Sequence, residues 1–327
     1  MRALMTGSAV LMAGIVACGP PGAAAMSASV TSASASAAGL TKAEKEKAQS
    51  ATSASSAIVR EGLCTAPADH RALASRVSAD IWAGLRGRDG SQAVSVYDRV
   101  TGLSCLYNGP SHFDSASIVK SIILAALMRW HQETRTPLSS WERNEATLMI
   151  EQSDNDAATD LWDELGMTRL QNFLNLAGMG ETQLGQDGEW GLTQVTAHDE
   201  MLLLKLLTAS NSVLDASSRS YELSLMAHVT GWEAWGVTAG TPSDVTWHVK
   251  NGWLPDATGW HINSIGAFTG YGRDYMLAVL SVNADSDDDD EQYGINTIED
   301  IARRVQHDLN NAKLTAPSAA TSVTTGG

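Results

Sequence analysis

Apolar residues recur with helical spacing in the middle of the chain and in short strand-like runs on either side of it. Leu73, Val77 and Ile81 recur every four residues and predict an amphipathic helix over 69–85. A second helix is predicted near the other end, over 296–309. Between these helices, short apolar runs bounded by turn residues predict five strands, at 93–97, 103–107, 245–250, 260–268 and 275–282.

The middle of the chain, from about 117 to 229, carries mainly helical patterns around one long irregular stretch at 178–194. Its helices are predicted at 117–130, 139–152, 156–165, 168–176, 197–207 and within 215–228. Strands and a helix at both ends of the chain, with helices between them, predict an α/β (α+β) fold. We expect one antiparallel sheet built from both chain ends with flanking helices, an all-helical part beside it, and a ligand in the crevice between the two.

The first 17 residues combine a positive start with an apolar stretch too short to span a bilayer comfortably, which predicts a secretory signal peptide. Residues 15–18 resemble a bacterial lipobox, so Cys18 is predicted to carry a lipid as the first residue of a mature lipoprotein. The alternative is ordinary cleavage at 23–25, which would discard Cys18. Either way, we expect a cell-envelope lipoprotein or a secreted protein outside the cytoplasm.

Two segments are too simple in composition to fold. Residues 18–57 are rich in Ala, Ser, Gly and Thr without regularly spaced large apolar residues, which predicts a disordered linker. Residues 312–327 have the same character and are predicted to form a disordered tail. Folded sequence is therefore expected over 58–311, as one domain.

The composition narrows the possible functions. Of the 327 residues, 43% are hydrophobic, which is enough for a substantial core. The 22 Lys and Arg against 37 Asp and Glu give a net charge of -15, which repels a phosphate backbone, so we expect no nucleic-acid partner. The three cysteines lack a zinc-ligand spacing and the eight histidines form no H-x-x-x-H pair, so neither a metal nor a cofactor is predicted.

Two of the cysteines lie within the predicted domain. Outside the cytoplasm a pair of thiols in one domain tends to oxidise, which predicts a disulfide between Cys64 and Cys105. Such a bridge would restrict the unfolded chain and stabilise the fold by about 4 kcal/mol in the chain-entropy model. The alternative is two buried free thiols.

Ser117 and Lys120 open the first middle helix and form the chain's only S-x-x-K sequence. With Ser121, they are predicted to lie on the face opposite the buried apolar stripe. Residues three apart are neighbours, so the Lys120 amine can take the proton of the Ser117 hydroxyl if burial or a nearby cation keeps it partly neutral. A helix start also leaves the Ser117 N–H able to stabilise an oxyanion.

Two further polar motifs follow in the chain. The S-D-N sequence at 153–155 lies between two predicted helices, where it either projects into the crevice or simply caps a helix. Lys250 and Gly252, in a K-N-G sequence, end a predicted strand. The lysine could supply charge and the glycine could let a substrate backbone lie close, although the motif alone is also an ordinary strand end.

The order S-x-x-K, S-D-N, K-x-G resembles that of the penicillin-recognising serine hydrolases, namely class A β-lactamases and their penicillin-binding relatives. The resemblance covers essentially 58–311. It implies that Ser117 is the nucleophile that forms an acyl-enzyme and that Lys120 is its base. By the same resemblance, Ser153 relays a proton to the leaving nitrogen, and Lys250 lowers the pKa of its neighbours and attracts the substrate carboxylate.

The resemblance also implies a set of substrate contacts. Asn155 would hold the substrate amide, and Asn251 and Gly252 would lie beside the substrate on the late strand. The backbone N–H groups of Ser117 and Trp253 would form the oxyanion hole.

The sequence departs from the family's pattern in the groups that release the acyl product. The E-x-x-L-N glutamate that activates water is missing from the loop after S-D-N. Glu189 is a candidate substitute and Glu181 a weaker one, although each also fits an ordinary solvated loop acid. Asn251 stands where the family prefers Thr or Ser. These differences predict an enzyme that acylates β-lactams or related amides and deacylates slowly.

Three functions remain open from the sequence. The first is a β-lactamase-type hydrolase with slow deacylation, and the second is a D-Ala-D-Ala peptidase or esterase with the same nucleophile. The third is a non-catalytic envelope lipoprotein that uses the same fold for binding. The expected partner is a small-molecule β-lactam or a peptidoglycan-like substrate. We expect a monomer that meets the membrane only through its lipid anchor.

Overall fold

A computed structural model of the chain describes residues 58–256, 259–283 and 291–311. The predicted signal peptide, Cys18, the linker and the tail lie outside the described residues, so their predictions stand as made. No helix within the described ranges combines the length and the apolar character needed to cross a membrane.

The described strands are β1 (Ile58–Glu61), β2 (Cys64–Pro67), β3 (Ser91–Asp98), β4 (Leu103–Tyr107), β5 (His112–Asp114), β6 (Gln194–Thr196), β7 (Thr246–Asp256), β8 (Gly259–Gly270) and β9 (Arg273–Val282). Seven of them form one antiparallel sheet in the order β1-β2-β4-β3-β9-β8-β7, with β7 at one edge. Strands β5 and β6 pair separately. The predicted antiparallel sheet built from both chain ends is confirmed.

The described α-helices are α1 (Arg71–Leu85), α2 (Val119–Thr134), α3 (Ser140–Glu151), α4 (Asn155–Ala177), α5 (Ala197–Thr208), α6 (Ala216–Met226) and α7 (Glu291–Asn311). One apolar cluster joins the sheet to α1 and α7, and another joins it to α2–α6. The flanking helices and the separate helical part are therefore confirmed. The two helices predicted at 156–165 and 168–176 follow one another within α4 and are separated at Gly166, whose φ of 66° and ψ of 159° are not helical.

Helix α2 differs from the amphipathic helix predicted there. Lys120 and Ser121, expected on its polar face, are completely buried. The physical reason is that α2 packs against α3, α4 and α6, so its first turns are surrounded by protein on every side. The Lys120 amine consequently contacts polar groups inside the protein and not bulk water, whereas the Ser121 hydroxyl is buried without a hydrogen-bond partner among the described residues.

The short strands are the elements that hydrophobic periodicity does not predict. Strands β1, β2, β5 and β6 contain only three or four residues each, too few to show an alternating pattern. The pair β5 and β6 matters for the site, because β6 follows the irregular stretch and β5 leads into Ser117.

The predicted disulfide between Cys64 and Cys105 is confirmed. The two residues face each other directly across β2 and β4, and both are buried. The bridge therefore ties the amino-terminal hairpin to the sheet.

Candidate active site

A fixed turn presents Ser117 at the surface of the sheet. The preceding residue, Ala116, has a φ of 46°, in the left-handed region that a residue with a side chain rarely adopts. The Asn263 amide on β8 holds this turn, because Nδ2 donates to the carbonyls of Asp114 at 2.8 Å and Ser115 at 3.1 Å. Ser117 then lies half-buried in a short 3₁₀ helix, Ala116–Ile118, directly before α2.

Gly252 lets the edge strand β7 lie against this turn. A Cβ at Gly252 would come within 2.6 Å of the Ser117 backbone nitrogen and 2.8 Å of that of Ile118. The sequence predicted that the glycine admits a substrate backbone. The structure adds a nearer reason, since the backbone of the chain itself occupies that space. Strand β7 and the Ser117 turn therefore form one wall.

Lys120 lies buried beneath Ser117 and contacts the S-D-N segment. Its Nζ donates to the Ser153 carbonyl at 2.6 Å and to Asn155 Oδ1 at 2.7 Å, and it lies 3.3 Å from Ser153 Oγ. None of the hydrogen bonds among the described residues joins Lys120 Nζ to Ser117 Oγ. Proton transfer therefore requires the Lys120 amine to turn its lone pair toward Ser117 Oγ. Catalytic hydrogen bonds that are long without substrate often shorten when substrate binds.

Ser153 stands between the two buried lysines. Its φ of 56° is again left-handed, and its Oγ accepts from Lys250 Nζ at 2.9 Å and lies 3.3 Å from Lys120 Nζ. The neighbouring Asp154 caps α4, because its side chain accepts from the Ala157 N–H at 2.9 Å. The S-D-N segment thus combines a helix cap at Asp154 with Asn155, which contacts Lys120.

Glu233 compensates the charge of Lys250. Its carboxylate is buried and lies 3.8 Å from Lys250 Nζ. Burial raises the pKa of Glu233, and the charges of Lys250 and Lys120 oppose that rise. Removal of either partner of such a buried ion pair would leave the other charge buried and uncompensated.

Burial sets the protonation of the two lysines. It lowers the pKa of Lys120 to about 6, with the charge of Lys250 lowering it further. Burial also lowers the pKa of Lys250 to about 8, against the opposing charge of Glu233. At neutral pH the Lys120 amine is therefore mostly neutral and able to accept a proton, whereas Lys250 mostly keeps its charge.

A cleft of about 330 Å³ opens in front of Ser117. Three residues predicted to act there, Asn155, Trp253 and Glu189, line it. Trp190 forms part of the same wall, with its ring centroid 4.9 Å from Lys120 Nζ and its Nε1 donating to Thr159 Oγ1 at 3.1 Å. The loop side of the cleft therefore brings an indole close to the general-base candidate.

Two residues named from the sequence lie elsewhere. The Asn251 amide points away from the cleft, because Nδ2 donates to the carbonyls of Glu233 at 2.6 Å and Trp235 at 3.1 Å. This is the alternation of a strand, since the Lys250 side chain points to the opposite face, where Nζ donates to Ser153 Oγ. Glu181 lies at the base of the loop, where its Oε2 accepts from Thr196 Oγ1 at 3.0 Å. Neither side chain lines the cleft.

Sequence reasoning missed three residues that shape the site, namely Glu233, Asn263 and Trp190. Glu233 lies in a short 3₁₀ helix, Gly231–Glu233, that belongs to no recognisable motif. Asn263 lies within the strand predicted at 260–268, and its importance comes from hydrogen bonds to residues of a distant segment. Only the folded arrangement brings these side chains to Ser117, so no local pattern could have found them.

The model of the beta-lactamase enzyme family matches residues 142–309, just over half of the chain. The chain belongs to the beta-lactamase enzyme family. The matched range contains the S-D-N and K-N-G motifs and most of the helical part. The match to the beta-lactamase family therefore covers the S-D-N and K-N-G segments of the site, whereas Ser117 and Lys120 precede the matched range.

Solved structures of class A beta-lactamases share the fold. An ancestral Gram-negative class A beta-lactamase aligns with a TM-score of 0.61 at 20% identity, over 71% of this chain and 99% of that one. The enzyme from Bacteroides cellulosilyticus aligns at 0.62 and 16%, over 72% and 97%. A beta lactamase from Xanthomonas campestris pv. campestris aligns at 0.62 and 19%, over 73% and 98%. A sequence search of curated proteins finds no match.

Proposed function

We propose that this beta-lactamase-family serine hydrolase forms an acyl-enzyme at Ser117 with β-lactams or related amides and releases the acyl group slowly. The observation that carries the proposal is the position of Ser153 Oγ, 2.9 Å from Lys250 Nζ and 3.3 Å from Lys120 Nζ. This one hydroxyl connects the base candidate to the cationic lysine, so a proton can pass between them.

Acylation follows from these contacts in balanced steps. The neutral Lys120 amine takes the Ser117 hydroxyl proton as Oγ attacks the carbonyl carbon. The backbone N–H groups of Ser117 and Trp253 stabilise the resulting oxyanion. Collapse of the tetrahedral intermediate breaks the carbon–nitrogen bond, and the proton reaches the leaving nitrogen through Ser153 Oγ. The charge of Lys250 meanwhile attracts the carboxylate of the substrate.

Slow release follows from the loop side of the cleft. Glu189 is exposed, and its carboxylate takes part in no hydrogen bond or ion pair within the described part of the chain. The Trp190 ring covers the space beside Lys120. A water molecule that attacks the acyl group there would need a base oriented toward it, and no oriented acid faces that space from the loop.

Mass spectrometry of the protein mixed with a penicillin, followed over time, tests both parts of the proposal. We expect an adduct of one penicillin mass on Ser117 that persists, with little turnover of nitrocefin. Ser117→Ala should abolish the adduct, while Ser111→Ala, an exposed serine outside the cleft, should keep it. Rapid loss of the adduct with fast nitrocefin turnover would contradict slow release. No adduct with any β-lactam or acyl-D-Ala-D-Ala peptide would leave a binding protein with this fold.

We further propose that the protein works outside the cytoplasm, anchored through Cys18. The Cys64–Cys105 disulfide supports the compartment, because such bridges persist in oxidising surroundings. Cys18→Ala should move the protein from the membrane fraction to the soluble fraction. Unchanged partitioning would contradict the lipid anchor.

A further inference from the structure

A second cluster of charged side chains lies at the base of the loop, outside the cleft. It consists of Glu181, His198 and Asp199, whose ligand atoms all lie within 4.8 Å of one another. His198 Nδ1 is 3.3 Å from Glu181 Oε2 and 3.3 Å from Asp199 Oδ1. Two carboxylates thus converge on one imidazole, and none of the lysines and arginines in the described residues forms an ion pair with either of them.

The Asp199 side chain is buried and held in one orientation, as a metal ligand is. Its side chain is only 1% exposed, and its Oδ2 is fixed by donors from the N–H groups of Glu181 at 2.9 Å and Thr182 at 2.8 Å and from Thr182 Oγ1 at 2.9 Å. The other oxygen, Oδ1, is buried and accepts no hydrogen bond from the described residues. It points toward His198. A buried carboxylate oxygen without a hydrogen-bond donor destabilises the folded protein unless a cation or a proton binds to it.

The chemistry and spacing of the set select the cation. Calcium and magnesium prefer oxygen ligands alone, whereas imidazole with carboxylates suits zinc. Two ligands held about 2.0–2.1 Å from a tetrahedral zinc ion lie about 3.3–3.4 Å apart, which matches the two measured separations. His198 and Glu181 are partly exposed, so an ion can enter and a water can take a fourth position.

We propose that Glu181, His198 and Asp199 form a zinc site at the base of the cleft loop. The sequence predicted no metal, because the three ligands follow none of the short spacings of known zinc motifs. The ion would join the start of the loop, at Glu181, to the first turn of α5, which carries His198 and Asp199. The same loop continues to Trp190 in the cleft wall, so the site would restrain that wall from its far end.

Zinc binding itself is the test, measured on the protein purified without a histidine tag by competition with a chromophoric chelator. We expect one equivalent of zinc, weakened at least about tenfold by His198→Ala and by Glu181→Gln, and no comparable binding of calcium. His307→Ala, on a histidine 73% exposed on α7, is the matched control and should bind as the parent does. Circular dichroism without zinc should show every variant folded, since His198 and Glu181 are partly exposed.

Three results would overturn the proposal. The first is that the parent protein binds no zinc in the competition experiment. The second is that the zinc affinity is unchanged in both His198→Ala and Glu181→Gln. Finally, binding could be lost in His261→Ala instead, which would assign the ion to the other described group with suitable ligands, Asp114, Asp256 and His261.

Discussion

The two walls of the cleft differ in how firmly their polar groups are held. On the Ser117 wall, Lys120 and Lys250 are buried, and each donates hydrogen bonds at defined distances. On the loop wall, Glu189 is exposed and makes no side-chain hydrogen bond within the described residues. The groups to which the proposed function assigns acylation are therefore oriented by their surroundings, whereas Glu189, the acid proposed for deacylation, is not. If the proposed function is correct, acylation depends on buried side chains of one wall and deacylation depends on an exposed loop.

Removal of the buried Lys120 amine should have the largest effect on the acylation rate. Lys120→Met has a similar volume but carries no base, so acylation by a fluorescent penicillin should slow by about 10³-fold. Lys205→Met, on a half-buried lysine that lies over the Tyr97 ring, is the control and should acylate normally. If Lys120→Met acylates within tenfold of the parent, the Ser117 wall does not work through this base.

Displacement of β7 from the Ser117 turn should have the next largest effect on the acylation rate. In Gly252→Ala, the added Cβ would lie 2.6 Å from the Ser117 nitrogen, so β7 and the Ser117 turn must separate. Acylation should fall by about 10²-fold, because small displacements of reacting groups are costly.

The matched control for that displacement is Gly231→Ala, where an added Cβ meets nothing within 4 Å. It should acylate as the parent does. Equal rates for the two variants would mean that the close approach at Gly252 is not needed for acylation.

The pH dependence of the acylation rate should reflect the protonation of both buried lysines. Acylation requires a neutral Lys120 and a charged Lys250, so its rate should rise as pH increases through about 6 and fall as pH increases through about 8. The Glu233 charge raises the pKa of both lysines, so Glu233→Gln should move both limbs of the profile to lower pH. A shift of one unit changes the rate on a limb about tenfold.

The pH profile of kcat/KM or of the labelling rate measures this shift. Glu299→Gln, on a partly buried residue of α7 that pairs with the exposed Arg303, is the control and should leave the profile in place. Limbs that stay in place in Glu233→Gln would show that Glu233 does not set these charges.

Features that depend on local patterns could be predicted from the sequence, whereas features that depend on distant contacts could not. Helices, long strands and the disulfide follow from periodicity and from cysteine chemistry, and Ser117, Lys120, Ser153 and Lys250 follow from motif order. Their burial does not, because α2 looks amphipathic until its neighbours are known. Glu233 and Asn263 act through contacts with residues far away in the chain, such as the 149-residue separation between Asn263 and Asp114. Asn251 was placed at the substrate by resemblance, although strand alternation turns it to the opposite face.

The smallest expected effect concerns the loop wall, and it decides whether Glu189 or Trp190 controls release. Trp190→Ala removes the ring beside Lys120 and admits water there, so deacylation of the penicillin adduct should speed up by about fivefold. Trp190→Phe keeps most of the ring and should change the rate less. Glu189→Gln should change it less than twofold, because the acid is exposed and unoriented. If Glu189→Gln instead prolongs the adduct strongly while Trp190→Ala leaves it unchanged, the exposed glutamate is the water-activating base, and the two walls are more alike than their burial indicates.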